Sequence, residues 1–123
     1  MDTNSADIDC LVRELPGLDK DSAVGVYFDC FGRFTGLVRM ADHGLVPAVD
    51  VHNAIAQKAL ALGASSVVVL RWFALVNDPC PDRDDMLFAA GIREAVQTLG
   101  IRLEDVMLSG ISTYHSFRDE GMM

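Results

Sequence analysis

Apolar residues in this chain switch between strand-like runs and helical spacing, and the switches predict the order of its elements. Two short runs rich in β-branched and aromatic residues, 24–28 and 34–40, are joined by a glycine-containing connection and predict a β-hairpin. Across 48–62 the apolar residues fall three or four positions apart, and Gly63 follows in the place of a C-cap glycine. This segment is predicted to be a helix with one buried face.

The second half of the chain repeats the switch. Residues 66–73 are almost continuously apolar, as expected of a central strand covered on both faces. A second helix is predicted between Asp82 and Gly100, with two further strands at 104–108 and 113–117. The resulting order, β-β-α-β-α-β-β, predicts a mixed α/β fold in which helices flank a mixed sheet.

The length of 123 residues suits one domain. Residues 1–20 are polar and acidic with one short amphipathic piece, so we expect a leader with a short helix there. Residues 21–123 are expected to form the domain itself.

The chain is strongly acidic, with 18 Asp and Glu against 10 Lys and Arg and a formal net charge of -8. Its arginines are spread along the sequence and form no basic cluster. Because such a surface repels phosphate backbones, nucleic acid is not expected as a partner.

The N-terminus and the cysteines indicate a compartment. Asp2 and Asp7 stand where a signal peptide would carry positive charge, and no apolar run reaches the length of a membrane span. The three cysteines are odd in number and form no C-x-x-C pair, so reduced thiols are expected. We therefore expect a cytoplasmic protein with no membrane partner.

Four stretches of the sequence carry a resemblance to a known family: 24–29, 60–70, 78–85 and 114–117. They follow one another in the order found in RadC-type JAB (MPN) domains, which this chain resembles over most of its length. The resemblance implies a cytidine-deaminase-like mixed sheet flanked by helices. It also implies kinship with the JAMM/MPN zinc metallopeptidases.

The zinc motif of that family is altered here. The family carries a His-Asn-His-Pro-Ser-Gly stretch after the central strand and an Asp beyond an Asp-Pro-x-Pro loop; the two His and the Asp hold zinc. Aligned on residues 78–81, the two His positions are occupied by Trp72 and Ala74. Asp85 is the only ligand position retained, and Asp21 lies near the position of the general-base Glu. The resemblance thus implies a degenerate member of the family.

The lost histidines change what chemistry can be expected. An indole ring and a methyl group donate no electron pair to a metal, and catalytic zinc needs about three protein ligands. None of His43, His52 and His115 has a metal-type spacing to another histidine or to Asp85. No cofactor is therefore expected.

An enzymatic alternative remains open at this point. It is a metal-dependent hydrolase of the JAMM type with a rearranged zinc site. Its ligands would be drawn from Asp21, Asp29, Asp85 and His115. A DNA-repair-associated role is a further alternative, against which the acidic charge argues.

Several of these positions also have a structural interpretation. Asp82 and Asp85 stand three residues apart at a predicted helix start, close to a capping box. Trp72 and the apolar residues after it either fill the core or form a recognition surface. We predict a non-catalytic domain that binds a protein or peptide, or a second copy of itself, through this groove or a strand edge. The candidate binding residues are Trp72, Phe73, Leu75, Asp82, Asp85 and His115.

Overall fold

The structure is a computed structural model that describes residues 4–15, 21–41 and 48–122. Three helices and five strands make up this part of the chain. They are α1 (Ser5–Arg13), β1 (Ser22–Phe28), β2 (Phe34–Ala41), α2 (Ala48–Ala61), β3 (Ser66–Trp72), α3 (Arg83–Gln97), β4 (Arg102–Ser109) and β5 (Tyr114–Ser116). From β1 onward the order is the predicted β-β-α-β-α-β-β.

The strands form one mixed sheet in the order β2-β1-β3-β4-β5. β1 runs antiparallel to both β2 and β3, and β4 runs antiparallel to β5. β3 and β4 are parallel, since α3 carries the chain back along the sheet between them. The predicted mixed α/β fold is confirmed.

The central strand β3 is covered on both faces, as its apolar run predicted. Its side chains alternate, so Val67 and Val69 pack in one core cluster while Val68 and Leu70 pack in the other. The first cluster includes side chains of α2 and α3, and the second includes side chains of α1. The sheet is therefore sandwiched between α2 with α3 on one face and α1 on the other.

Helix α1 joins the domain through its apolar positions four residues apart. Ile8 and Val12 are buried against the sheet. Asn4 caps the helix, its side chain accepting a hydrogen bond from the Ala6 N–H at 2.8 Å. The short helix expected within residues 1–20 thus supplies one layer of the core.

Helix α3 begins with the predicted cap. The Asp82 carboxylate accepts from the Asp85 N–H at 2.9 Å, and the Asp85 carboxylate accepts from the Asp82 N–H at 3.1 Å. This reciprocal pair is a capping box with Asp in the place of Glu. Asp85 is fixed at the start of the helix as a result.

No helix within the described ranges is both long enough and apolar enough to cross a membrane.

Candidate functional site

The positions that the resemblance assigns to chemistry meet at one edge of the sheet. β3 and β4 end side by side here, with Trp72 paired to Ser109, and β1 begins here, with Ser22 paired to Trp72. We call this edge, made of Asp21, residues 71–85 and residues 109–115, the carboxyl edge.

Trp72 lies in the core at this edge. Only 7% of its surface is exposed, and its ring packs in the cluster that α1 covers. The Arg13 guanidinium of α1 lies over the ring, 5.2 Å from its centroid. Of the two interpretations that the sequence left open for Trp72, the structure favours core filling over an open aromatic groove.

Ala74 and Asp21 are brought together at the carboxyl edge. The Ala74 side chain packs against the same cluster as Trp72. The Ala74 N–H donates to Asp21 Oδ1 at 2.8 Å. The carboxylate near the family's general-base position therefore holds the backbone at the position of the family's second histidine.

Asp85 is buried, with 6% of its surface exposed, and it faces a cation. Arg71 Nη1 donates to Asp85 Oδ1 at 3.1 Å, while Asp85 Oδ2 accepts from the Asp82 N–H. Burial raises the pKa of Asp85, and the Asp82 N–H and Arg71 act in the opposite direction. The Asp85 N–H in turn lowers the pKa of Asp82.

These residues do not fit a zinc ion. The indole of Trp72 and the methyl group of Ala74 supply no ligand atom, and both oxygens of Asp85 already accept hydrogen bonds. Within the described ranges, no group of three or more His, Cys, Asp or Glu side chains is placed to hold a metal ion.

His115 lies at the carboxyl edge between two carboxylates. Its Nε2 is 2.7 Å from Asp78 Oδ1 and its Nδ1 is 3.0 Å from Glu120 Oε1. Hydrogen bonding to Glu120 and then to Asp78 raises the pKa of His115. Hydrogen bonds from Thr113 and from His115 lower the pKa of Asp78. His115 thus joins the 78–81 loop, β5 and the C-terminal turn.

Asp29, the remaining residue of the rearranged-site hypothesis, lies at the opposite end of β1 from this edge. There it accepts from the Arg33 side chain at 3.0 Å. His52 lies between α2 and α3 with its ring 5.1 Å from that of Phe88, and burial lowers its pKa. His43 is outside the described residues.

Exposed apolar side chains also gather at the carboxyl edge. Leu75 is 91% exposed, Ile111 51% and Val76 42%. The Ile111 N–H donates to the Val76 carbonyl at 2.8 Å, which ties the 73–79 loop to the 110–113 turn. Phe73, by contrast, is partly buried against the α2–α3 side of the core. We call Leu75, Val76 and Ile111 the apolar rim.

Gly110 lets the loop and the turn approach closely. A Cβ atom at this position would lie 2.5 Å from Pro79 Cδ and 2.8 Å from the Asn77 carbonyl oxygen. These distances leave no room for a side chain. The rim therefore rests on a backbone arrangement that only glycine permits.

Sequence reasoning missed the polar network that connects α1 to this edge. Arg13 donates to Asp9 at 2.6 Å, to Ser109 Oγ at 3.1 Å and to the Gly110 carbonyl at 2.8 Å. The Ser109 hydroxyl donates to Asp9. The spacing of Asp9 and Arg13, four residues apart on a helix, was the available signal, but Ser109 is distant in sequence.

The chain is similar to known proteins. A family model described as a RadC-like JAB domain matches residues 2–122. A UPF0758 protein of Ruegeria pomeroyi is 36% identical over 81 residues, which are 65% of this chain and 36% of that protein. UPF0758 proteins of Thermotoga maritima (31% over 90 residues, 73% and 38%) and Streptococcus thermophilus (30% over 105 residues, 82% and 44%) are also similar. The chain spans less than half the length of these relatives.

Proposed function

Since this chain belongs to the RadC-like JAB domain family, we propose that it is a non-catalytic member that acts by binding a partner protein at the carboxyl edge. The observation that carries the proposal is that apolar side chains occupy the positions at this edge where the family has zinc-binding histidines. Side chains without ligand atoms occupy both histidine positions, and the exposed apolar rim lies beside them.

The rim has the character of a contact surface. Leu75 is almost fully exposed, although a leucine in a monomer normally gains by burial. It projects from a loop that Pro79, Gly110 and the Ile111–Val76 hydrogen bond hold in place. Because the loop is anchored on both sides, little conformational entropy is lost when a partner docks.

The surroundings of the rim favour a partner with positive charge. Asp78, Asp82 and Asp84 carry exposed carboxylates on the loop and at the start of α3. The whole chain has a formal net charge of -8. A partner that presents an apolar residue flanked by lysine or arginine would match both features, and electrostatic attraction would speed its encounter.

A photocrosslinking experiment tests this function. A photoreactive phenylalanine analogue replaces Leu75 in the full chain, which is expressed in its native host, irradiated and analysed by mass spectrometry. The matched control carries the analogue at Leu60, an apolar residue of α2 that is 62% exposed.

We expect the analogue at position 75 to capture one protein repeatedly and the analogue at position 60 not to capture it. Capture of a second copy of this chain would assign the rim to self-association and contradict the basic partner, because two copies carry the same negative charge. Equal crosslinking patterns at the two positions would contradict a binding role for the carboxyl edge.

A further inference from the structure

Asp85 and Arg71 form a largely buried ion pair at the carboxyl edge. The Asp85 side chain is 9% exposed and that of Arg71 is 22% exposed, so water reaches both charges poorly. One oxygen of Asp85 accepts from Arg71 and the other from the Asp82 N–H. A carboxylate buried to this degree requires a positive charge or several hydrogen-bond donors beside it.

Aromatic rings fix the position of the guanidinium. Arg71 lies 5.3 Å from the ring centroid of Phe73 and 4.7 Å from that of Phe88. Phe73 follows β3 and Phe88 belongs to α3, so the cation sits where these two elements meet. Ring faces attract a cation and restrict its motion.

We propose that the Arg71 guanidinium supplies to Asp85 the positive charge that a metal ion would otherwise supply. The charge of Asp85, which lies between β3 and the start of α3, is then neutralised by a cation that belongs to the chain itself. The side chain next to the former ligand positions has taken over the electrostatic part of the metal's role, without its chemistry.

Among these residues an arginine is better suited than a zinc ion to neutralise Asp85. A zinc ion needs convergent donor atoms, and here it would find one carboxylate. A guanidinium is permanently charged, presents planar donors to a carboxylate and stacks against rings, so one arginine can supply the positive charge that Asp85 needs. Trp72 and Ala74 can then be apolar without leaving the buried carboxylate of Asp85 without a counter-charge.

A double-mutant cycle tests the proposal. Arg71→Met keeps the apolar length of the side chain and removes its charge, and Asp85→Asn removes the opposite charge while keeping the cap. The free energy of unfolding is measured in urea for the full chain, both single variants and the double variant. The control cycle uses Arg33→Met and Asp29→Asn, a pair in which the arginine side chain is 72% exposed.

We expect Arg71→Met to be strongly destabilised and to regain stability when Asp85→Asn is added. The unfolding constant should reveal a coupling of about tenfold or more at the buried pair and a much smaller one at the exposed control pair. If Arg71→Met does not fold, a folded double variant supports the proposal equally.

Two results would overturn it. One is additivity of the two substitutions, or a double variant that remains unfolded, since Asp85 would then not be what depends on Arg71. The other is stoichiometric zinc in the purified wild-type chain that Asp85→Asn releases, because a metal would then neutralise the carboxylate.

Discussion

At the scale of single residues, the packing of α2 against α3 includes one very close contact. His52 of α2 lies against Gly91 of α3, where a Cβ atom would come within 2.5 Å of its Nδ1. The His52 Nε2 atom is buried without a hydrogen-bond partner among the described residues. A side chain at position 91 would therefore displace the imidazole, and the buried Nε2 atom without a partner lowers the stability of the domain.

The effect of Gly91→Ala on the free energy of unfolding should therefore depend on the residue at position 52. In the wild-type chain the new methyl group collides with His52, and we expect a loss of about 1–3 kcal/mol in the free energy of unfolding. In a His52→Ala background the collision is absent, and alanine's helix propensity should make the same change stabilising by about 0.5–1 kcal/mol. Urea denaturation of the four chains measures this, and a loss in both backgrounds would refute the account.

The two described histidines should give opposite pH dependences. The raised pKa of His115 means that its contribution to stability is complete below its ordinary pKa of 6.5 and is lost as pH rises through the folded value. The lowered pKa of His52 means that its contribution is present above 6.5 and is lost as pH falls.

Thermal unfolding between mildly acidic and mildly alkaline pH tests this for each residue separately. The advantage of the wild type over His115→Gln should shrink as pH rises. His52→Gln should instead reduce the loss of stability that the wild type suffers at acidic pH. Parallel profiles for wild type and His115→Gln would indicate that the two carboxylates do not hold a protonated imidazole.

At the scale of elements, α1 is attached by polar bonds as well as by its apolar face. Ile8 and Val12 are buried on the sheet, while Arg13 and Asp9 bond to the end of β4 and to the turn after it. Arg13 also lies over Trp72. The last turn of α1 therefore controls how well the tryptophan is covered.

Arg13→Ala should loosen that cover. It removes the ion pair of a buried Asp9 and the hydrogen bonds to Ser109 and to the 110–113 turn, for an expected loss of about 1–3 kcal/mol. Trp72 is the only tryptophan in the chain, so its fluorescence should shift to the red and acrylamide should quench it more strongly. Glu14→Ala, at the exposed next residue, is the control. Identical spectra for both variants would mean that Arg13 does not hold α1 in place.

The capping box of α3 gives a second prediction at this scale. Asp82→Ala removes the side chain that accepts from the Asp85 N–H and should cost about 1 kcal/mol of stability. Asp84→Ala, in the same first turn but outside the box, should cost less. Chemical denaturation compares the two, and equal losses would assign the effect to general helix-terminal charge.

At the scale of the whole molecule, most of the fold could be predicted from the sequence. The hairpin, the buried run of β3 and the Asp82 cap follow from local spacing, and the structure confirms them. Local sequence patterns predict strands, helices and helix caps, because these depend on residues only a few positions apart.

The carboxyl edge could be predicted only in part. Its altered residues were visible, but the burial of Trp72 depends on α1, some 60 residues earlier in the chain. The pairing of Arg71 with Asp85 and of His115 with Asp78 joins elements that the fold alone brings together. Sequence spacing carries no record of such contacts.

Taken as one molecule, the domain combines a JAB-like scaffold with an edge rebuilt from an internal ion pair and exposed apolar side chains. Metal analysis of the purified full chain, with its melting temperature measured before and after EDTA, tests this most directly. We predict zinc well below one ion per chain and an unchanged melting temperature. One tightly held zinc per chain, whose removal by EDTA lowers the melting temperature or abolishes a peptidase activity, would contradict it.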